Sequence, residues 1–511
     1  MVEISSKVNR MTKRNETRKG DKELRKKETE EKNRNKKNRN ILNRKSTFAS
    51  VEEEIEDRYK TAEETLKAYR KYIPDILRDL SKIKDPRTPK KVEHKLALLM
   101  LYGLFIFVFH LSSRRDANSE ITPIFLENMK QFFPELENIP HSCTLARLLE
   151  DIDANNIEES IVKLVNRLIR DKKLINYLVS NKYIFAIDGT QKFTRDWDWS
   201  KNSLTKHIKG QPEDAKHYYA YALEASLVLP GGLTIPVLTE FLERDSHKEV
   251  GTDNEKNKQD CEYKAFMRLA ARLKKYFPHL KIAVTLDGLY TKGPIFEECQ
   301  KYGWDYMIVL KDGSLKSVWE DIEKLKQKDK VEKHSAPEIN GVKQDFWYVN
   351  GIDYHYGDNG CKSIIANVVV CEETITVKDK KTGQETKNTK KFAWVSFKGI
   401  NSRNVEKRCN QMGRPRWNIE TQNLVEKHHG YSYEHCFSYD WNAMQGFHYL
   451  MHLAHIINTL TLFSTKLKLK IKLHGVRRTI KLIFLAFKGT PLDFEKLMFI
   501  TTQKYYLKLD I

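Results

Sequence analysis

The sequence predicts an α/β protein: an all-helical N-terminal region, then a sheet-based core interrupted by a β-rich insertion. Three observations carry this. Apolar spacing is helical up to Leu178 and turns β-prone at Tyr183. Two apolar runs, Tyr183–Ile187 and Lys281–Leu286, each end on Asp-Gly, at Asp188 and Asp287. A group of β-prone runs then occupies residues 345–399, ahead of a long helical pattern. With 511 residues the chain has room for two or more domains and a sizeable core.

Residues 1–47 carry 17 Lys and Arg against 7 Asp and Glu, with almost no apolar side chains. Such a stretch cannot bury enough surface to fold alone. A basic disordered tail is expected, either solvated or tethering DNA non-specifically. Residues 48–178 follow as a helical domain. Apolar residues at spacings of three and four predict a helix over Val51–Ile83, which Asp85-Pro-Arg-Thr-Pro89 breaks. Leu96–Phe109 is uncharged and strongly apolar, but shorter than the ~18 residues that a membrane span needs, so it is expected to be a buried core helix. A helix over Ile121–Phe133 closes at Pro134, and another runs from Ser142 or Thr144 to Ile152. Asn155 or Asn156 caps a last one through Leu178.

Residues 179–320 form the first part of the core. After the strand Tyr183–Ile187, the runs Tyr218–Leu229 and Thr234–Leu242 flank a Pro230-Gly-Gly turn and read as a hairpin. A helix over Gln259–Phe277, the strand Lys281–Leu286, a helix near 293–302 and the strand Tyr306–Leu310 follow. Strand, hairpin, helix, strand, helix, strand is the order of a ribonuclease-H-like core, with both aspartates at C-terminal strand ends. Residues 321–400 are the β-rich insertion, with Phe346–Val349, Ser363–Val370 and Lys391–Phe397 as strands and Lys378–Thr389 as a polar loop. Residues 401–465 return to the core with a helix from near Pro415 to Gly430 and one from about Asn442 to Phe463. In the basic C-terminal region, 466–511, Lys466-Leu-Lys-Leu-Lys-Ile-Lys472 would present one cationic face if extended, toward DNA or as a solvated edge strand.

The helix beginning near Pro415 carries Arg416, Glu420 and Lys427. Their offsets place all three within about 40° of one another at ~100° per residue, a carboxylate between two cations on one face. Phosphodiester cleavage needs an activated water or hydroxyl and a stabilised leaving oxygen, and two divalent ions supply both. Mg²⁺, or Mn²⁺ in its place, takes hard oxygen ligands, so Asp188, Asp287 and Glu420 suffice. Asp188 would bridge the ions and the other two would each complete one. Arg416 offers a bidentate fork and Lys427 a point charge to the phosphates beside the scissile bond. Singly, each part reads as a turn residue or a solvated helix face. The signal is the combination: 99 residues between the aspartates and 133 from Asp287 to Glu420. Trp417 and Leu424 read as packing on the helix flank. His428, His429 and His435 invite a metal reading, but His428 projects about 80° from Glu420 and Mg²⁺ prefers oxygen.

Formal net charge is +21, and without the tail it is still +11, so the favoured partner is an acidic polymer, a nucleic acid, which the family resemblance given below narrows to double-stranded DNA. The seven cysteines include no CxxC pair, which argues against a zinc ribbon or a disulfide framework and for reduced thiols in the cytoplasm. The polar, charged N-terminus does not read as a signal peptide.

Residues 85–460 resemble the DDE transposases of bacterial insertion sequences, in the group with a β-strand insertion and a Y-x2-R-x3-E-x6-K signature. The likeness rests on Asp188, Asp287 and the Arg416, Glu420, Lys427 spacing. It extends to Asp85-Pro-Arg87 and Ile139-Pro-His-Ser-Cys-Thr144, both similar to the N-terminal region of related transposases. Asn257-Lys-Gln-Asp-Cys-Glu262 looks similar too, without an assignable role. The resemblance implies that Asp188, Asp287 and Glu420 bind the metal and that Arg416 and Lys427 contact terminal DNA. It also implies an aromatic role for Trp394, which would either stack on a base displaced from the duplex end or pack in the core. The signature's tyrosine falls on Gly413, removing a phosphate-contacting hydroxyl. The implied activity is binding of terminal inverted repeats, cleavage of the ends and joining of the 3′-hydroxyls to target DNA, by a homodimer at the nucleoid. Two alternatives stay open: a catalytically retired DNA-binding descendant, and a ribonuclease-H-like nuclease without strand transfer.

Overall fold

The computed structural model describes residues 48–208, 210, 215–244, 260–378, 385–463, 467–489 and 495. The expected tail at 1–47, part of the Lys378–Thr389 loop, positions 257–259 and most of 490–511 lie outside them. Two compact units divide the chain, Met1–Asp57 and Arg58–Ile511.

The helical region holds α1 (Val51–Leu80), α2 (Leu96–Val108), α3 (Arg114–Glu120), α4 (Pro123–Lys130), α5 (Ser142–Asp151) and α6 (Asn155–Arg170). The apolar run is α2, buried on every side. Phe105 sits edge-on to Phe125 and Phe133. Among the described residues no helix is long and apolar enough to cross a membrane. A side chain at Gly103 would come within 2.8 Å of Leu145 and Leu450, so the glycine is what lets α2 approach α5 and the later helix α12 (Trp441–Leu462). Asn458 on α12 donates to the Val108 carbonyl (3.1 Å), which satisfies a C-terminal orphan of α2. One apolar core therefore runs from this helical region into the sheet.

The sheet has ten strands: β1 (Tyr183–Arg195), β2 (Leu204–His207), β3 (Lys216–Val228), β4 (Thr234–Leu242), β5 (Ile282–Leu286), β6 (Asp305–Val309), β7 (Glu332–Ser335), β8 (Val342–Tyr356), β9 (Lys362–Lys378) and β10 (Glu385–Ser396). Their order is β2-β3-β1-β5-β6-β10-β9-β8-β7, with β4 also pairing β3. The pairs β1–β5 and β5–β6 are parallel, and the other pairs are antiparallel. Between the strands lie α7 (Glu262–Tyr276), α8 (Gly293–Lys301) and α9 (Lys316–Gln327). The β-rich insertion is thus joined to the core sheet: β10 pairs β6, with Trp394 opposite Val309. That pairing satisfies the backbone groups on the β6 edge.

Several expectations need correction: the helix expected through Leu178 ends at Arg170, and Glu385–Thr389, expected in a loop, belongs to β10. Asp188 does not end its strand, because β1 continues to Arg195 against β3 after the parallel partner β5 stops at Leu286. The glutamate helix does not start at Pro415. Helical backbone begins at α10 (Val405–Arg408), passes through a π turn at Cys409–Gly413 and a tight turn at Arg414–Arg416, and continues as α11 (Trp417–His428). Proline lacks the N–H that a regular turn requires, and the irregular turns absorb that loss. Finally, Lys468–His474 forms a short helix, α13, followed by α14 (Val476–Gly489), so the lysine alternation does not mark a strand.

Candidate active site

Side chains alternate along a strand, so Ile184, Ala186 and Asp188 share one sheet face, as do Ala283, Thr285 and Asp287. Ile187 lies beside Leu286 in the parallel pair, so the two aspartates occupy the next step on adjacent strands. The apolar members of that face, including Ile184, Ala186, Ala283 and Trp394, bury against Cys409, Met412 and Ile419 of the helical run. This packing lays the run across the face that carries the aspartates.

Polar contacts then fix its register. Buried Arg408 grips Asp305 with two hydrogen bonds of 2.8 and 3.1 Å. The Thr285 hydroxyl donates to the Gly413 carbonyl at 3.2 Å. Arg416 is 6% exposed, with its guanidinium 2.6 Å from Glu420 and 3.7 Å from Asp188.

The carboxylates are unequal. Burial pushes the Asp188 carboxyl up to about 6, against the pull of Arg416 and the Gly189 N–H, while nearby Glu420 and Glu262 add to the rise. Burial also raises Asp287, but Lys311, the Gly288 N–H and Arg416 outweigh it and hold that carboxyl below its ordinary value. Arg416 is the shared counter-charge of all three acids. Three carboxylates around one guanidinium, one of them raised to about 6, leave a surplus of hard oxygen donors that suits a divalent cation.

The other expected residues are placed differently. Arg416 faces inward between carboxylates instead of outward as a free fork. Lys427 is engaged by Glu434 at 3.2 Å, and its ammonium lies 5.8 Å from the Tyr433 ring centre. Trp394 is 1% exposed, the burial expected of the core-packing alternative. Its ring occupies the space beside Gly413, where a Cβ would come within 2.8 Å of the indole nitrogen. That contact leaves position 413 no room for a larger side chain without moving Trp394. Leu424, expected to pack, is 54% exposed, whereas Trp417 rests edge-on against Phe392 at 5.4 Å. His428, His429 and His435 do not gather; among the described residues the metal-capable histidine cluster is Glu224, His448 and His452.

Two residues escaped the sequence reading. Lys311, just beyond β6, places its ammonium 3.0 Å from Asp287 and is the second cation at the site. A lysine following a strand carries no distinctive local signal. Glu262, at the start of α7, accepts hydrogen bonds from Tyr221 (2.6 Å) and Tyr290 (2.9 Å). A Cβ on Gly189 would lie 2.9 Å from its carboxyl carbon, so glycine at that position admits Glu262 beside Asp188. The sequence singles out the segment ending at Glu262, but nothing local gives it a partner. Next to the carboxylates, a cavity of about 310 Å³ is bounded by Lys311, Lys391, Trp394, Gly413, Arg416 and Trp417.

Residues 77–165, from the end of α1 into α6, match the family model described as DDE_Tnp_1-associated. This domain is found in proteins of the DDE transposase family, and its presence supports a transposase. No curated protein matches the chain.

Proposed function

We propose that the protein is a DNA transposase of the insertion-sequence type, acting through Asp188, Asp287 and Glu420 with two Mg²⁺ or Mn²⁺ ions. The observation that carries this reading is the pair of aspartates at one step of two adjacent parallel strands, with the Arg416–Glu420 helix laid across them. The strand order β4-β3-β1-β5-β6, antiparallel through β1 and parallel after it, supports a ribonuclease-H-like core.

The metal pair, when bound, supplies an activated water and neutralises charge on the reacting phosphate. The chain's own residues do the rest. Asp188 and Asp287 hold their carboxylates on rigid strands, and Arg416 keeps Glu420 turned toward Asp188. Lys311, now paired with Asp287 at 3.0 Å, would leave Asp287 to the cation and turn its ammonium to a phosphate as DNA enters. Lys427 serves DNA as part of a basic surface, with Glu434 as its resting partner. The basic chain, at +21, engages the ends as double-stranded DNA, and a homodimer pairs them.

The test is a linear DNA carrying the element's terminal inverted repeats, incubated with full-length protein and Mg²⁺, with strand cleavage and joining read on sequencing gels. Asp188→Asn, Asp287→Asn and Glu420→Gln should each abolish both steps while leaving DNA binding. Retained cleavage in any of them would overturn the assignment, and cleavage without joining would reduce the activity to hydrolysis.

A further inference from the structure

Beside Asp188, on the same sheet face, lies a second group of ionisable side chains that the cleavage chemistry does not use. Glu224 on β3 stands directly opposite Asp188 in the β1–β3 register. Glu426 is on α11, six residues past Glu420, and His448, His452 and His455 are on α12. Glu224 and Glu426 are 0% exposed, and His448 and His452 are 1% exposed. Two carboxylates removed from water require a cation close by. Lys192, whose ammonium donates to the Tyr433 carbonyl at 3.0 Å, supplies one positive charge near them, and the two carboxylates hold His452 toward its charged form against burial.

His452 Nε2 lies 3.7 Å from Glu224 and 3.6 Å from Glu426, and His448 Nε2 lies 3.7 Å from Glu224. These separations are too long for hydrogen bonds. His452 Nε2 and Glu426 Oε2, the 3.6 Å pair, are both buried with no hydrogen-bond partner, as are the second oxygen of Glu224, Oε2, and the other ring nitrogen of His448, Nδ1. They do approach the edge of a ligand tetrahedron, about 3.3–3.5 Å for bonds of about 2.0–2.1 Å to zinc. The ligand atoms of Glu224, His448 and His452 all fall within 4.8 Å of one another. Histidines four apart on a helix present their imidazoles on one face, and two imidazoles with carboxylates select zinc over magnesium.

We propose that Glu224, His448 and His452, with Glu426 closing the fourth position, form a buried structural zinc site. The ion would replace the 3.0 Å contact of Thr239 Oγ1 with His448 Nε2. Tyr433, which donates to Glu224 at 2.7 Å, and His455, 2.6 Å from Glu426, would orient the two carboxylates from behind. With no open position, the site ties α12 to the strand beside Asp188 and to the helix that carries Glu420.

Untagged full-length protein loaded with Zn²⁺, then dialysed against Mg²⁺ buffer containing a weak chelator, should retain about one zinc per chain by elemental mass spectrometry. An Asp188→Asn/Asp287→Asn/Glu420→Gln variant should retain it equally, and His448→Ala/His452→Ala should lose it. Cobalt loaded into the wild type should give the intense visible bands of a tetrahedral site, a readout that stands even if the histidine variant fails to fold. Wild type retaining less than about a tenth of a zinc per chain, or a histidine variant that folds and retains it, would overturn the proposal. Because metal content is read and not cleavage, failure here is distinguishable from failure of the transposase reading.

Discussion

Asp188→Asn should make the metal-free protein more stable while abolishing cleavage. Burial raises the Asp188 carboxyl to about 6 from an ordinary value of 3.8, and its side chain is only 20% exposed. Between those values the folded protein keeps a proton that the unfolded chain releases, so wild-type stability falls as pH rises through this window and stays lower above it. Roughly two pH units at about 1.4 kcal/mol each set a ceiling of about 3 kcal/mol. The amide carries no charge to desolvate and still accepts from the Gly189 N–H, which now bonds Asp188 at 3.0 Å. The variant should be about 1–3 kcal/mol more stable at pH 8, with about half of that gain gone at pH 5 and none left below the unfolded value. Urea unfolding in EDTA at pH 5 and pH 8 measures both numbers. Adding Mg²⁺ should then stabilise the wild type and leave the variant unchanged. A variant less stable than wild type at pH 8, or a difference that does not vary with pH, would refute the account of Asp188 as a buried, undercompensated carboxylate.

Other residues make separate claims. Gly413→Tyr should destabilise by about 1–3 kcal/mol or more through overpacking against Trp394, and Trp394→Ala should restore part of that loss in a double-mutant cycle, read by urea unfolding. Glu262→Gln should remove a charge that raises Asp188 and so shift the acidic limb of the cleavage pH profile downward; an unmoved limb would separate Glu262 from the site. Arg416→Ala should leave Asp188 and Glu420 without their shared guanidinium. It should cost about 1–3 kcal/mol in stability and weaken cleavage, with Arg416→Lys rescuing only in part, because a point charge cannot reach both carboxylates as a fork does. Lys311→Ala should free Asp287 and raise its carboxyl, so that cleavage at low Mg²⁺ becomes more sensitive to acid.

Most helices and the core strands were legible because burial on one face writes a period into the chain. The buried α2 and the three strands β1, β5 and β6 stand within a few residues of where apolar spacing put them, except that β1 runs on to Arg195. Errors fell where local pattern and partner disagree. The lysine alternation at 466–472 suits a strand, but in the structure Lys468–His474 is helical. Pro415 reads as a helix start, yet the packing of Cys409 and Met412 on the sheet carries helical backbone through it.

The sequence by itself determined which residue types were available: two aspartates after apolar runs, a helix bearing Arg416 and Glu420, and a strongly basic balance. It could not determine which charges neutralise one another, because that depends on distance between residues far apart in the chain. Only the tertiary structure turned Arg416 inward, brought Lys311 and Glu262 to the aspartates and buried Trp394 against Gly413. It also gathered Glu224, Glu426 and the α12 histidines beside Asp188. Desolvation acts on charges in space, and periodicity along the chain carries no record of it.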